Sequence, residues 1–378
     1  MASKNKAYIN PEILKWAREE MNYDIDEAAR KIGINSQKLI QWEAGQKMPT
    51  LRQLRLIAKL YKRPSAFFYL KDAPDATKPD LPDYRQLPDE NLERTPQMSL
   101  QIRRAFERRE TYIELLHYLG KSCPEFKFEI DSKISTTELA LKIREQLGIS
   151  IDDQFSWKDH YTALNSWIDL LEKQNILIFQ TGELDLAEMR GLSISEQFLP
   201  IILINSKDSP RGRIFTLMHE LVHIVIGQSG ICDLDDNDSN DFEVFCNKVA
   251  GEILVPKQVL KNDLDSITDY RDPFQLEYLA NRYMVSVEVI LRRLLILNKI
   301  TKNFYQKKRE EYLETYKKSK SQGFLLPAKK VVRDNGKLYT DLIISAYRDD
   351  IISLRDVSNY LGNFKINHLP KVESQLYK

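Results

Sequence analysis

The most constraining feature of this chain is a pair of histidines one helical turn apart inside an almost wholly apolar run. His219-Glu220-Leu221-Val222-His223 is flanked by Ile214, Phe215, Leu217 and Met218 on one side and by Ile224, Val225 and Ile226 on the other. A helix apolar nearly all round is a buried helix. On such a helix residues i and i+4 lie one above the other, so both imidazoles can reach one metal ion, with zinc the usual occupant. Glu220 is rotated by about 100° from His219. That sets it beside the metal, where a general base for water belongs. Burying two His and a Glu costs several kcal/mol unless something satisfies them, and a metal does so.

A catalytic zinc needs a third protein ligand and an open position. The chain has 5 His, and His117, His160 and His368 lie in unrelated contexts, so the third ligand is expected to be a carboxylate or a thiolate. Residues 241–256 read as a second helix ended by Pro256. Glu243 and Asn247 share a face of it, at i and i+4. Glu243 can ligate while Asn247 hydrogen-bonds a ligating imidazole and fixes its tautomer. Cys246, one turn from Glu243, is a candidate ligand or a buried structural thiol, and the second reading is preferred. Glu252 lies too far along to share the site and reads as a structural or solvated carboxylate.

These motifs resemble the ImmA/IrrE family of metallopeptidases. The resemblance rests on Arg213 to His223, on Glu243-x-x-Cys246-Asn247, and on the run from Val249 to Pro256. Upstream, Glu188-Met189-Arg190-Gly191, the strand at 200–205 and Asp208-Ser209-Pro210-Arg211 look alike as well, so the similarity spans roughly 170–300. It implies His219, His223 and Glu243 as zinc ligands and Glu220 as catalytic base. Val222 departs from a frequent Gly, and Cys246 from a frequent Ala.

The N-terminus carries a second pattern. Residues 26–32 read as a short helix, Gly33 as the turn, and 36–44 as a second helix with Asn35 or Ser36 as its N-cap. Gly45 ends that helix, and Pro49-Thr50 opens another bearing Leu51, Leu54, Ile57, Ala58 and Leu60. Helix, tight turn, helix is the layout in which the second helix enters the DNA major groove. Ala29-x-x-Ile32-Gly33-Ile34-Asn35 and Trp42-Glu43-Ala44-Gly45-x-x-x-Pro49 resemble the Cro/CI-type (XRE) family, with departures at Ile25, where Gln is usual, and at Ala28, where Leu is common. Residues 1–70 hold 13 Lys and Arg against 7 Asp and Glu, whereas the whole chain has a net charge of +1. The local excess suits phosphate contact. On the reading helix Ser36, Gln37, Lys38 and Gln41 are expected to point away from Ile40 and Trp42, and so toward DNA. A helical bundle that docks protein is the competing reading.

The expected fold class is mainly α with a small antiparallel β-sheet (α+β). It comprises an N-terminal helix-turn-helix bundle, a zincin-like HEXXH metallopeptidase domain and a small C-terminal helical module. The expected order is a helix-turn-helix domain at 1–70, a Pro-rich connector at 71–97, the peptidase domain with a helical N-terminal part at 98–300, a charged linker helix at 301–325, and the C-terminal module at 326–378. Helical spacing marks 98–119, with Arg103, Arg104, Arg108 and Arg109 as a solvated basic face. Helices are also expected at 135–146, 161–173 and 274–298, and Ser353 reads as an N-cap. Residues 176–180, 188–194 and 200–205 read as strands, of the kind that hold a substrate as an added strand. The acidic segment 228–241 reads as a solvated loop.

With 378 residues there is ample core for two or three domains. Three Cys argue against a disulfide framework and for a reducing compartment. No stretch approaches 18 apolar residues and no signal-like segment opens the chain, which points to a cytoplasmic protein without membrane contact. The expectation is a DNA-binding regulator with a zinc-dependent endopeptidase domain that cleaves a partner regulatory protein, in an anti-repressor, antitoxin or phage-defence role. Its partners would be operator DNA and a repressor or toxin protein, with a possible homodimer. The alternative is a non-catalytic transcription factor or antitoxin that uses the peptidase domain as a sensor or docking scaffold.

Overall fold

The computed structural model describes residues 5–73, 95–128, 134–228, 239–318 and 325–377. The Pro-rich connector and the acidic segment therefore lie largely outside the described residues. The chain forms two compact units, Met1–Phe106 and Glu107–Lys378.

The first unit is built from short capped helices. They are α1 (Pro11–Glu20), α2 (Ile25–Ile32), α3 (Ser36–Glu43) and α4 (Leu51–Leu60), followed by a 3-10 turn at Ser65–Tyr69. Each start has a side-chain cap. Asn10 caps α1 ahead of Pro11, Asp24 caps α2, Asn35 caps α3, and Thr50 forms a capping box with Gln53 on α4. Gly33 ends α2 with φ +81, a left-handed turn that favours glycine. The core gathers Leu14, Leu39, Trp42, Leu54, Ile57, Tyr61 and Phe68. Leu39, not Ile40, is the inward residue: it is 0% exposed and Ile40 is 42% exposed. The expected inward pairing of Ile40 with Trp42 is thus corrected. Leu39 and Trp42, three apart, set the buried stripe of α3, and Ile40 falls a further 100° round.

A long helix, α5 (Pro96–Tyr118), runs through the division between the units. Its arginines are not a solvated face. In the first unit Arg103 pairs with Glu20 at 3.0 Å and donates to the carbonyls of Tyr61 and Lys62. In the second, Arg109 donates to the carbonyls of Phe198 and Leu199, and the Arg108 guanidinium lies 5.0 Å over the Phe179 ring. Guanidinium forks satisfy loop carbonyls that no ladder reaches, which a charge pattern alone does not reveal.

The second unit continues with α6 (Thr136–Gln146), α7 (Ile151–Phe155), α8 (His160–Glu172), β1 (Leu177–Thr181), β2 (Gly191–Ile194), β3 (Ile201–Asn205), α9 (Pro210–Gln228) and α10 (Ser239–Leu254). Next come α11 (Lys257–Leu264), α12 (Pro273–Arg282), α13 (Val287–Ile296) and α14 (Lys302–Lys318). A C-terminal group follows: α15 (Pro327–Asn335), α16 (Lys337–Arg348), α17 (Leu354–Tyr360) and α18 (Leu369–Leu376). Among the described residues no helix is long and apolar enough to cross a membrane.

The fold is mainly α with one small sheet, but that sheet is mixed. The order is β1-β3-β2, with β1 parallel to β3 and β2 antiparallel to it. The reason lies in burial. β1 and β3 are near-continuous apolar runs buried along their whole length, as strands covered on both faces require. β2, with Gly191 and Ser193, takes the edge. The outer edge of β1 is approached by Gly336, where an added Cβ would lie 2.6 Å from the Ile178 carbonyl. Covering an edge in this way prevents it from pairing with another chain.

Candidate metal centre and nucleic-acid interface

Two helices bring the candidate metal-ligating side chains together. α9 opens on Ser209-Pro210, whose Ser209 Oγ accepts from Gly212 N at 3.0 Å. The helix then buries Leu217, Met218, Leu221, Val222 and Val225. α10 packs beside it, and its last carbonyls are satisfied by buried side chains. Arg144 donates to Ile253 O at 2.8 Å, and Gln154 donates to Leu254 O at 2.9 Å. Glu252 pairs with Arg293 and accepts from Lys257 N, so it is structural. These contacts fix the helix that carries Glu243.

At the site His219 Nε2 and His223 Nε2 are 2.8 Å apart. Glu243 meets both, with Oε2 at 3.3 Å from His219 and Oε1 at 3.1 Å from His223. One ligand atom from each of the three lies within 4.8 Å of the others. His219 is fully buried, while His223 and Glu243 are half-buried. Burial pushes the Glu243 carboxyl up, but the hydrogen bonds and charges of the two histidines outweigh it and hold that carboxyl well below the usual range. Two ring nitrogens facing each other across a carboxylate form a donor set that suits a divalent cation, and two His with one carboxylate is a known catalytic zinc set. The residues therefore fit a metal.

Glu220, the residue after His219 on α9, meets the sheet. It is 4% exposed, and Ser193 Oγ donates to its Oε2 at 2.8 Å. Gly191, two residues earlier on β2, lets the strand approach. A Cβ there would lie 2.3 Å from Thr216 Cγ2 and 2.8 Å from Glu220 Oε1. Sequence reasoning missed Ser193. The available signal was two small residues at i and i+2, hence on one face of a strand, shortly before the histidine helix. Cys246 is fully buried in the apolar core, outside the ligand group. Asn247 lies one turn beyond Glu243 on α10 and is half-buried.

On α3, Gln37 is exposed and Ser36, Lys38 and Gln41 are half-buried. Ser36 donates to Asp26, so it is tied to α2. The Lys38 ammonium lies 5.4 Å over the Trp42 ring. The turn after α3 is pinned by Gln46 N and Lys47 N, which both donate to Gln41 O.

A helix-turn-helix bundle joined to a metallopeptidase-like fold is the class these features define. Residues 14–68 match the family described as helix-turn-helix, and residues 171–295 match the peptidase family described as the IrrE N-terminal-like domain. The two matches fall on the two segments whose motifs carry the resemblances. No curated protein matches it.

Proposed function

We propose that this chain is a DNA-binding regulator whose second unit is a zinc-dependent endopeptidase acting on one partner regulatory protein, such as a repressor or an antitoxin-system protein. The observation that supports this most is the joint placement of His219, His223 and Glu243 around one point; Glu220, next to His219 in sequence, is held by Ser193. His219, His223 and Glu243 would hold the metal, and Asn247 would orient an imidazole. A bound divalent ion supplies Lewis-acid activation of water and of a carbonyl at such a site.

The remaining work falls to the chain's own residues. Glu220 takes a proton from water as its oxygen bonds to the scissile carbonyl carbon. It returns that proton to the amine as the C–N bond breaks. Ser193 holds the Glu220 carboxylate in one orientation. β2, as the sheet edge, offers backbone groups to an extended substrate. The helix-turn-helix unit would place the chain at an operator.

The test is incubation of the zinc-loaded full chain with the regulatory proteins encoded beside it. A single cleavage in one of them, absent with Glu220→Gln, supports the proposal. Intact partners under every zinc and DNA condition, with the metal retained, would leave the site as a structural or sensing one.

A further inference from the structure

The reading face of α3 carries an apolar side chain at its centre. Ile40 is 42% exposed, while its neighbours Leu39 and Trp42 are 0% and 1% exposed and fix the phase of the helix. Ser36 and Gln37 precede Ile40 by one turn, and Gln41 follows it, so the four share a face. Isolated exposed apolar residues are ordinary on protein surfaces. This one is set among groups of the kind that read base edges, in a unit with 13 Lys and Arg against 7 Asp and Glu. Its position is rigid. Ser36 is tied to Asp26, Lys38 is stacked on Trp42, and the turn after the helix is bonded to Gln41 O.

The major groove offers an apolar side chain one feature among the four ordinary bases, the C5-methyl of thymine. Resting on the reading that this unit binds an operator, the geometry points to Ile40 as a specificity residue that packs against a thymine methyl. The flanking Gln37 and Gln41 read the neighbouring base edges. Any polar base edge beneath Ile40 would lose its water without gaining a partner, so the contact discriminates by exclusion as well as by attraction.

The experiment uses the full chain and duplexes selected from a random pool at low salt. Each thymine of the selected site is then replaced by deoxyuridine, which removes only the methyl. The expected result is a loss of about fourfold in affinity at one thymine per half-site, the weight of one buried methyl. Ile40→Ala should bind thymine and uracil equally at that position with unchanged salt dependence. Ile40→Val, which keeps the branched methyls, should restore the discrimination and controls for folding. Should Ile40→Ala still discriminate, or no thymine prove sensitive, the assignment of Ile40 is wrong while operator binding stands. Failure to select any duplex would instead overturn operator binding, and the assignment with it, in favour of a face that docks protein.

Discussion

Ser193 Oγ on β2 donates to Glu220 Oε2 on α9 at 2.8 Å, so the carboxylate that follows His219 is anchored by the strand at the sheet edge. Ser193→Ala removes a partner of a buried carboxylate and should cost about 1–3 kcal/mol of stability. It should also lower kcat more than KM, because a misoriented base fails in the transition state and not in binding. Gly191→Ala is the steric counterpart. Its Cβ would meet Thr216 Cγ2 at 2.3 Å and Glu220 Oε1 at 2.8 Å, and both belong to the same rigid helix. Overpacking of this kind costs about 1–3 kcal/mol. Thermal unfolding and metal analysis together check it: the Tm falls while bound metal stays near the wild-type level.

Metal removal should affect stability as well as activity. His219, His223 and Glu243 present their donors to one another across at most 4.8 Å, with His219 fully buried. Without a cation these groups lose their compensation. Chelation should lower the Tm, and zinc should restore it. His219→Ala should hold less than about one equivalent of metal and show no such zinc response. Elemental analysis and calorimetry with and without chelator are the measurements. An identical Tm in both would show that the three groups satisfy each other without a metal.

The helices α9 and α10 were legible because their signals are local. The His219/His223 spacing, the apolar run and the Pro256 stop all act within a turn or two. The cap Ser353 was legible for the same reason, since its partner Asp356 sits three residues on. What failed was non-local. The parallel pairing of Leu177 with Ile201 depends on which strand takes the edge, and strand periodicity does not report that. Arg103 and Arg109 serve carbonyls of distant loops. Ile40 failed for another reason: adjacent Leu39 and Ile40 on an eight-residue helix leave its phase ambiguous until the neighbours are placed.

The C-terminal helices pack on a buried acid, and stability should depend on pH through it. Glu172, on α8, accepts from Leu338 N at 3.2 Å and so caps α16, which has no side-chain cap of its own. Burial pushes its carboxyl up to about 8, with Asp169 adding to the rise and the Leu338 N–H and Lys337 opposing it. A carboxyl raised in the folded state binds its proton more tightly there than in the unfolded chain. Its contribution is therefore complete below the ordinary Glu value of about 4.3 and is lost as pH rises toward about 8. Thermal unfolding between pH 5 and 8 should show stability falling with pH by an amount on the order of a few kcal/mol. Glu172→Gln, neutral at every pH and nearly isosteric, should flatten that slope. An unchanged slope would mean that Glu172 ionises normally.

The charged and amide groups of α3 should separate by what they read. Lys38 carries a point charge on a flexible stem, which suits a phosphate and carries no sequence information. Lys38→Ala should weaken binding to all duplexes alike and reduce the slope of log affinity against log salt by about 1. It should cost the fold little, since the contact it loses over Trp42 is a half-buried cation–π pair worth about 1 kcal/mol. Gln37 and Gln41 lie one turn apart on the exposed side of the same helix and carry paired donors and acceptors that match adenine edges. Gln37→Ala or Gln41→Ala should therefore relax sequence preference by about 1–3 kcal/mol at one base pair each and leave the salt slope in place. Competition binding over a range of salt concentrations, with selected and scrambled duplexes, measures both quantities at once. If all three changes weaken specific and non-specific binding in proportion, α3 contacts only the backbone, and sequence must be read elsewhere in the unit.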